Sequence, residues 1–208
     1  MTTLNSILKN KIVAIIRGAK PDDILKIAEA LYAGGIRLLE ITLNSPKSLF
    51  VIEAISGQMR DRMLIGAGTV LNADTARAAV AVGAKFIISP STDLETIKMT
   101  KRYDVVSIPG AFTPSEIQTA HAYGGDIIKV FPARLGADYI RDIRGPLPQI
   151  PLMPTGGVSL DNIRDFQQAG VVAFGIGTSL VNTQNEMTDE YLLQLTERAG
   201  QFVKAISI

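Results

Sequence analysis

Asp126-Ile-Ile-Lys-Val-Phe-Pro132 is a short β-branched run with one charge at its centre, bounded by turn residues, which predicts a buried strand. Runs of the same kind recur along the chain at Ile12–Arg17, Leu38–Leu43, Met63–Ala67, Phe86–Ser89, Val105–Pro109, Leu152–Thr155 and Val172–Gly175. With Ile127–Phe131 they make eight, and an amphipathic stretch of helical length follows each one. Alternation of this kind builds βα units around a parallel sheet. Eight units in 208 residues fit a (β/α)8 TIM barrel, whereas open doubly wound sheets usually have five or six strands. Residues 1–11 read as a short helix ahead of the barrel, and no linker divides residues 1–208 into more than one domain.

Local punctuation agrees with the count. Thr92 with Glu95 and Thr113 with Glu116 have capping-box spacing, and Pro21 and Pro114 fit first helical turns. Gly35, Gly83, Gly125 and Gly170 precede the next strand, where a left-handed C-cap lets the chain turn back.

Composition narrows the chemistry. Hydrophobic residues make up 47% and charged residues 20%, enough for a substantial core. The 21 Lys and Arg balance 20 Asp and Glu, so there is no electrostatic footprint for nucleic acid or an anionic membrane, and a small molecule is the expected partner. Zero Cys and one His exclude a disulfide framework, a cysteine nucleophile and an imidazole-rich metal centre. No apolar stretch approaches the ~20 residues of a membrane helix. The first residues lack a signal-peptide pattern, so the expected location is cytoplasmic.

In a barrel, chemistry gathers at the C-terminal ends of the strands. Lys129 stands in an otherwise apolar strand; burial lowers an amine pKa and frees it to attack a carbonyl. The alternatives are an edge-strand lysine that deters aggregation, or one whose head extends to solvent. Glu40, in Leu38-Leu-Glu-Ile-Thr-Leu43, shares a face with Leu38 and Thr42 and can meet Lys129 across the interior, as a catalytic partner or as a structural ion pair. Arg17 ends the first strand, either to fork onto a carboxylate or phosphate or as an ordinary surface arginine. Gly66-Ala-Gly-Thr-Val70, Pro154-Thr-Gly-Gly-Val158 and Gly175-Ile-Gly-Thr-Ser179 place glycines after strands, where bare N–H groups can approach an anion. Two of these fall after the seventh and eighth strands, the usual barrel phosphate site. His121 lies within a helix and has no assigned role. Asp126 either caps the turn before the lysine strand or serves a subunit contact. Phe131 and Pro132 either wall the site or pack in the core.

Together Glu40-Ile-Thr-Leu-Asn-Ser-Pro46, Gly66-Ala-Gly-Thr-Val-Leu71, Ile88-Ser-Pro90, Pro109-Gly110, Lys129-Val-Phe-Pro-Ala133 and Pro154-Thr-Gly-Gly-Val158 resemble the KDPG/KHG aldolase family (2-keto-3-deoxy-6-phosphogluconate and 2-keto-4-hydroxyglutarate aldolases) in collinear order over nearly the whole chain. The resemblance implies a class I, metal-free and cofactor-free aldolase, typically a homotrimer, acting on a phosphorylated keto acid. It implies Lys129 as Schiff-base lysine and Glu40 as general acid/base. Thr69, Pro90 and Phe131 then surround the pyruvyl part, Arg17 lies near the anionic end, and Gly156, Gly157 and Thr178 hold phosphate. Many phosphogluconate-type members carry an arginine where this chain has Asn44; Leu-Asn-Ser-Pro resembles the phosphogalactonate branch, while Lys-Val-Phe-Pro-Ala resembles the gluconate branch. Two other readings stay open: an isomerase or synthase without a covalent lysine, and a phosphosugar-binding subunit without chemistry.

Overall fold

The computed structural model describes residues 2–207. After α1 (Thr3–Asn10), the chain lays down β1 (Ile12–Ile16), α2 (Ile24–Ala33), β2 (Leu38–Thr42), α3 (Ser48–Gln58), β3 (Leu64–Gly68), α4 (Ala73–Ala81), β4 (Phe86–Ile88) and α5 (Leu94–Arg102). It continues through β5 (Val106–Ile108), β6 (Gly110–Ala111), α6 (Pro114–Ala122), β7 (Ile128–Val130), α7 (Gly136–Arg144), β8 (Leu152–Pro154), α8 (Ile163–Gln168), β9 (Phe174–Ile176) and α9 (Asp189–Ile206). The short N-terminal helix is present; Met1, part of that expectation, lies outside the described residues. The strands form two parallel sheets, one of six in the order β5-β4-β3-β2-β1-β9 and one of three in the order β6-β7-β8.

Each predicted run yields strand, but a ninth, β6, follows the fifth run and belongs to the other sheet. Pro109 separates β5 from β6 and has no N–H to donate, while its carbonyl accepts from Lys129 N at 2.9 Å. The two sheets touch at both junctions: Asp126 N donates to Ser107 O at 2.8 Å, Val172 N donates to Leu152 O at 3.0 Å, and Thr155 bridges Gly175. The Asp126 carboxylate strengthens the first junction by accepting from Ser107 N and Lys101 Nζ, both at 2.8 Å.

Of the two expected capping boxes, Thr113–Glu116 forms at the start of α6 with Pro114 in the first turn. The other does not. Asp93 caps α5 by accepting from Thr96 N, and the Thr92 hydroxyl instead donates to Gly110 O at 2.8 Å. A carboxylate one residue on is an equally good cap, and the Gly110 carbonyl draws Thr92 away. Gly35, Gly83 and Gly170 take positive φ as expected; at the fourth turn Gly124 (φ 105°), not Gly125, takes it. Gly125 is needed for another reason, since a side chain there would press on Ile128 and Pro109.

Two cores position the site. The larger fills the space between strands and helices. The smaller takes inner-face residues from both sheets, from Val13, Leu38 and Phe86 to Ile88 and Ile108 at the ends of β4 and β5 and on to Ile127, Met153 and Ala173, with Ile7 of α1 packed among them. Leu38 belongs to the small core while Leu39 and Ile41 belong to the large one, so Glu40 and Thr42 share Leu38's inner face. The same alternation along Ile127, Ile128 and Val130 puts Lys129 on the inner face. Both charges therefore lie on the inner face beside this apolar cluster, Lys129 paired in register with Met153.

Candidate active site

Lys129 is only 4% exposed, and its Nζ stands 5.0 Å from the centroid of the Phe131 ring. Burial pulls the amine below the ordinary lysine range; the Glu40 charge opposes that shift, and Arg17 adds to it. Glu40 is completely buried, and neither carboxylate oxygen has a hydrogen-bond partner. Burial pushes its carboxyl upward, against the pull of Lys129 and Arg17. Desolvation is the largest cause for both groups, and it moves the amine down and the carboxyl up.

Room for that acid comes from the neighbouring strand. Glu40 pairs with Gly66 and Thr42 with Gly68, and a Cβ on Gly68 would overlap the Glu40 carboxylate. Gly66 is equally constrained, by the ring of Phe86. These two glycines thus serve the strand interior rather than a turn, and they leave Glu40 an apolar, donor-free seat.

Beside this pair a cleft of about 520 Å³ opens at the strand C-termini. Arg17 and Gly18 line it from the end of β1, Phe131 and Arg134 from the loop after β7, Gly156 and Gly157 after β8, and Thr178 and Ser179 after β9. Among the described residues Arg17 and Arg134 are the only charged ones lining it, so the cleft is suited to an anion. Gly156 (φ 76°) and Gly157 (φ 105°) form a left-handed pair that turns bare backbone toward it. Arg17 is strapped in place: Nη1 donates to Asn44 Oδ1 at 3.2 Å, its carbonyl accepts from Thr183 Oγ1 at 2.7 Å, and Gly18 N donates to Ser45 Oγ at 2.8 Å. Asn44 is thus a direct partner of Arg17.

The structure brings Arg17, Phe131, Gly156, Gly157 and Thr178 into one cleft, with Lys129 beneath Phe131 and Glu40 on the same inner face. Thr69 and Pro90 do not line that cleft; they follow β3 and β4 at the same end of the strands. Thr69 adopts φ 56°, a left-handed conformation costly for a β-branched residue and frequent where sites are held under constraint. His121 is remote, on α6 with Nδ1 3.2 Å from Gly125 O. Among the described residues no group of three or more His, Cys, Asp or Glu could hold a metal ion, and no helix is long and apolar enough to cross a membrane.

Sequence reasoning misses Thr155. It is buried in the cleft wall, its Oγ1 has no partner, and it fits only because Gly175 beside it has no side chain. An orphaned hydroxyl costs about 1–3 kcal/mol. Thr155→Val is therefore expected to leave the melting temperature unchanged or higher while lowering kcat/KM for any substrate whose hydroxyl this group meets. Calorimetry and steady-state kinetics on the same preparation check both signs.

The family model of KDPG and KHG aldolases matches residues 4–193. A probable 2-dehydro-3-deoxy-6-phosphogalactonate aldolase of Rhizobium meliloti is 36% identical over 175 residues, covering 83% of this chain and 82% of that one. A 2-dehydro-3-deoxy-phosphogluconate aldolase of Pseudomonas aeruginosa is 39% identical over 158 residues, 75% of this chain and 71% of the other. Among solved structures, KDPG aldolase from Legionella pneumophila, with pyruvate captured as a covalent carbinolamine, superposes with a TM-score of 0.86 at 30% identity, covering 96% of this chain and 97% of its own. A buried lysine with its amine pulled down, a carboxyl without a partner on the same inner face, an anion cleft beside them, and a match along most of the chain lead to one conclusion: the protein belongs to the KDPG/KHG aldolase family.

Proposed function

We propose that this aldolase is of class I and cleaves 2-keto-3-deoxy-6-phosphogluconate to pyruvate and glyceraldehyde 3-phosphate, with Lys129 as nucleophile and Glu40 as general acid/base. The observation that carries this reading is the buried, pulled-down amine of Lys129 sharing its inner face with a carboxyl that has no other partner. The neutral amine adds to the C2 ketone, and the carbinolamine loses water to an iminium, for which protonated Glu40 supplies the proton. Ionised Glu40 then takes the proton of the C4 hydroxyl, the C3–C4 bond breaks, and its electron pair enters the iminium to give an enamine. The aldehyde leaves, the enamine is protonated at C3, and water returns pyruvate and free Lys129. The scheme needs no cofactor.

In this reading Gly156, Gly157 and Thr178 hold the phosphoryl group and Arg17 lies near the substrate's other anionic end. Thr69, Pro90 and Phe131 wall the pyruvyl part, Phe131 by its approach to Lys129 Nζ and the other two by their place after β3 and β4. We also read the two sheets as one closed (β/α)8 barrel, supported by their contacts at both junctions and by the inner apolar cluster drawn from both. The resemblance further supports a homotrimer in the cytoplasm.

A second reading exchanges the gluconate for the galactonate epimer; the Arg17–Asn44 contact and the name of the Rhizobium relative favour it. Pyruvate release from both phosphorylated acids and from 4-hydroxy-2-oxoglutarate decides among them by kcat/KM. A larger value for the gluconate acid supports the first reading, a larger value for the galactonate acid replaces it with the second, and no pyruvate from any of them overturns the aldolase assignment. The pH dependence carries a sign as well. Because burial lowers the Lys129 pKa, imine formation is expected to rise with pH and to level off below the ordinary lysine value.

A further inference from the structure

Among the described residues, Arg134 is the one charged member of the cleft lining that the scheme above leaves without a task. It is exposed at the rim, in the loop between β7 and α7. Its position is set by the chain: Ala133 N donates to both Thr155 O and Gly156 O at 2.9 Å, which ties this loop to the Gly156–Gly157 turn. A methyl group on Gly157 would lie 3.4 Å from Arg134 Cγ and 3.6 Å from its backbone N, so the stem of the arginine rests against that turn.

No ion pair among the described residues includes Arg134, whereas Arg17 across the cleft already has Asn44. Arg134 also stands two residues before α7, whose first turn carries the positive end of the helix dipole. A cation there is unfavourable. The N-cap, Leu135, provides no side-chain acceptor to offset it. The acid in the first turn of α7, Asp138, is engaged by Arg141, and among the described residues no acidic side chain lines the cleft, so an anion entering it would meet Arg134 unopposed.

We propose that Arg134 is a specificity-determining residue of this cleft: its guanidinium senses the charge at the substrate's distal end and selects phosphorylated keto acids over unphosphorylated ones of the same carbon skeleton. The assignment rests on the aldolase reading above and names the side chain that sets its substrate class. A guanidinium carries a fork of donors suited to phosphoryl oxygens, and the adjoining glycine turn adds backbone to the same site. A distal hydroxyl gains little from either.

The test compares full-length wild type with Arg134→Gln, Arg134→Lys and Arg134→Glu, using the 6-phosphorylated 2-keto-3-deoxy acid and its unphosphorylated counterpart. Loss of a charge-assisted contact is expected to cut kcat/KM for the phosphorylated acid about 10- to 100-fold in Arg134→Gln, mostly through KM. The unphosphorylated acid should change by no more than about 2-fold, so the ratio of the two falls. Arg134→Lys should recover part of the ratio and Arg134→Glu lose more of it. Melting temperatures of Arg134→Gln and Arg134→Glu should equal or exceed the wild type, since each removes a cation from the start of α7; a merely structural arginine would lower them. Equal losses on both acids, or an unchanged ratio in a wild type that cleaves the phosphorylated acid, overturn the assignment and leave the aldolase reading intact. A folded wild type that cleaves neither acid overturns both.

Discussion

Lys129→Met is expected to abolish pyruvate release, lowering kcat by about 10⁴-fold or more, while the protein folds as well as the wild type. The two halves of the expectation have one cause. Lys129 is 4% exposed among apolar strand neighbours, so the site already disfavours the ammonium form. Methionine fills similar volume without a charge to desolvate, and replacing a buried charged group by an apolar one is often neutral or stabilising. Near-wild-type turnover in Lys129→Met would remove the covalent step from the mechanism. Lost turnover together with lost folding would show that the lysine is part of the core, and calorimetry on the same preparation separates these outcomes.

Glu40→Gln should lower kcat by about 10²- to 10⁴-fold, the usual worth of general acid/base help, and raise stability at the same time. The sign of the stability change follows from the raised carboxyl pKa. Between the ordinary glutamate value and its value in the folded protein, the folded state keeps a proton that the unfolded chain has lost. Stability therefore falls as pH rises through that window. Glutamine has no such titration, so the stability of Glu40→Gln relative to wild type should grow from mildly acidic pH upward, which denaturant melts at several pH values would record. Gly68→Ala tests the same seat from the neighbouring strand, because its methyl group would occupy the space of the carboxylate. It should reproduce the loss of kcat but with the opposite effect on stability, a cost of about 1–3 kcal/mol from overpacking. Normal turnover in Gly68→Ala would mean that the position of Glu40 does not matter to the reaction.

The strands are legible in the sequence because parallel strands buried on both faces read as unbroken Ile, Val and Leu runs. Lys129 and Glu40 stand out for the same reason, as charges inside such runs. The division at Pro109 is not legible from periodicity, since it depends on where a missing N–H falls in the hydrogen-bond ladder. The cap at Asp93 is invisible in a similar way: Thr92 and Asp93 are both good caps, and the choice turns on the carbonyl of Gly110, distant in sequence. Thr155 at the end of a strand and Arg134 in a loop are ordinary residues by type. Their interest comes from a hydroxyl with no partner and a cation with no counter-ion, both properties of neighbours the sequence does not place. The glycines of β3 show the reverse limit. Read as an anion loop in the sequence, Gly66 and Gly68 turn out to make space for Phe86 and Glu40.

Borohydride reduction in the presence of pyruvate, followed by intact-mass analysis and peptide mapping, tests the central bond of this account. The predicted result is one stable adduct per chain, located on Lys129, lost in Lys129→Met and still formed in Glu40→Gln. An adduct on a different lysine, or none on folded protein, would contradict the assignment of Lys129 as the nucleophile.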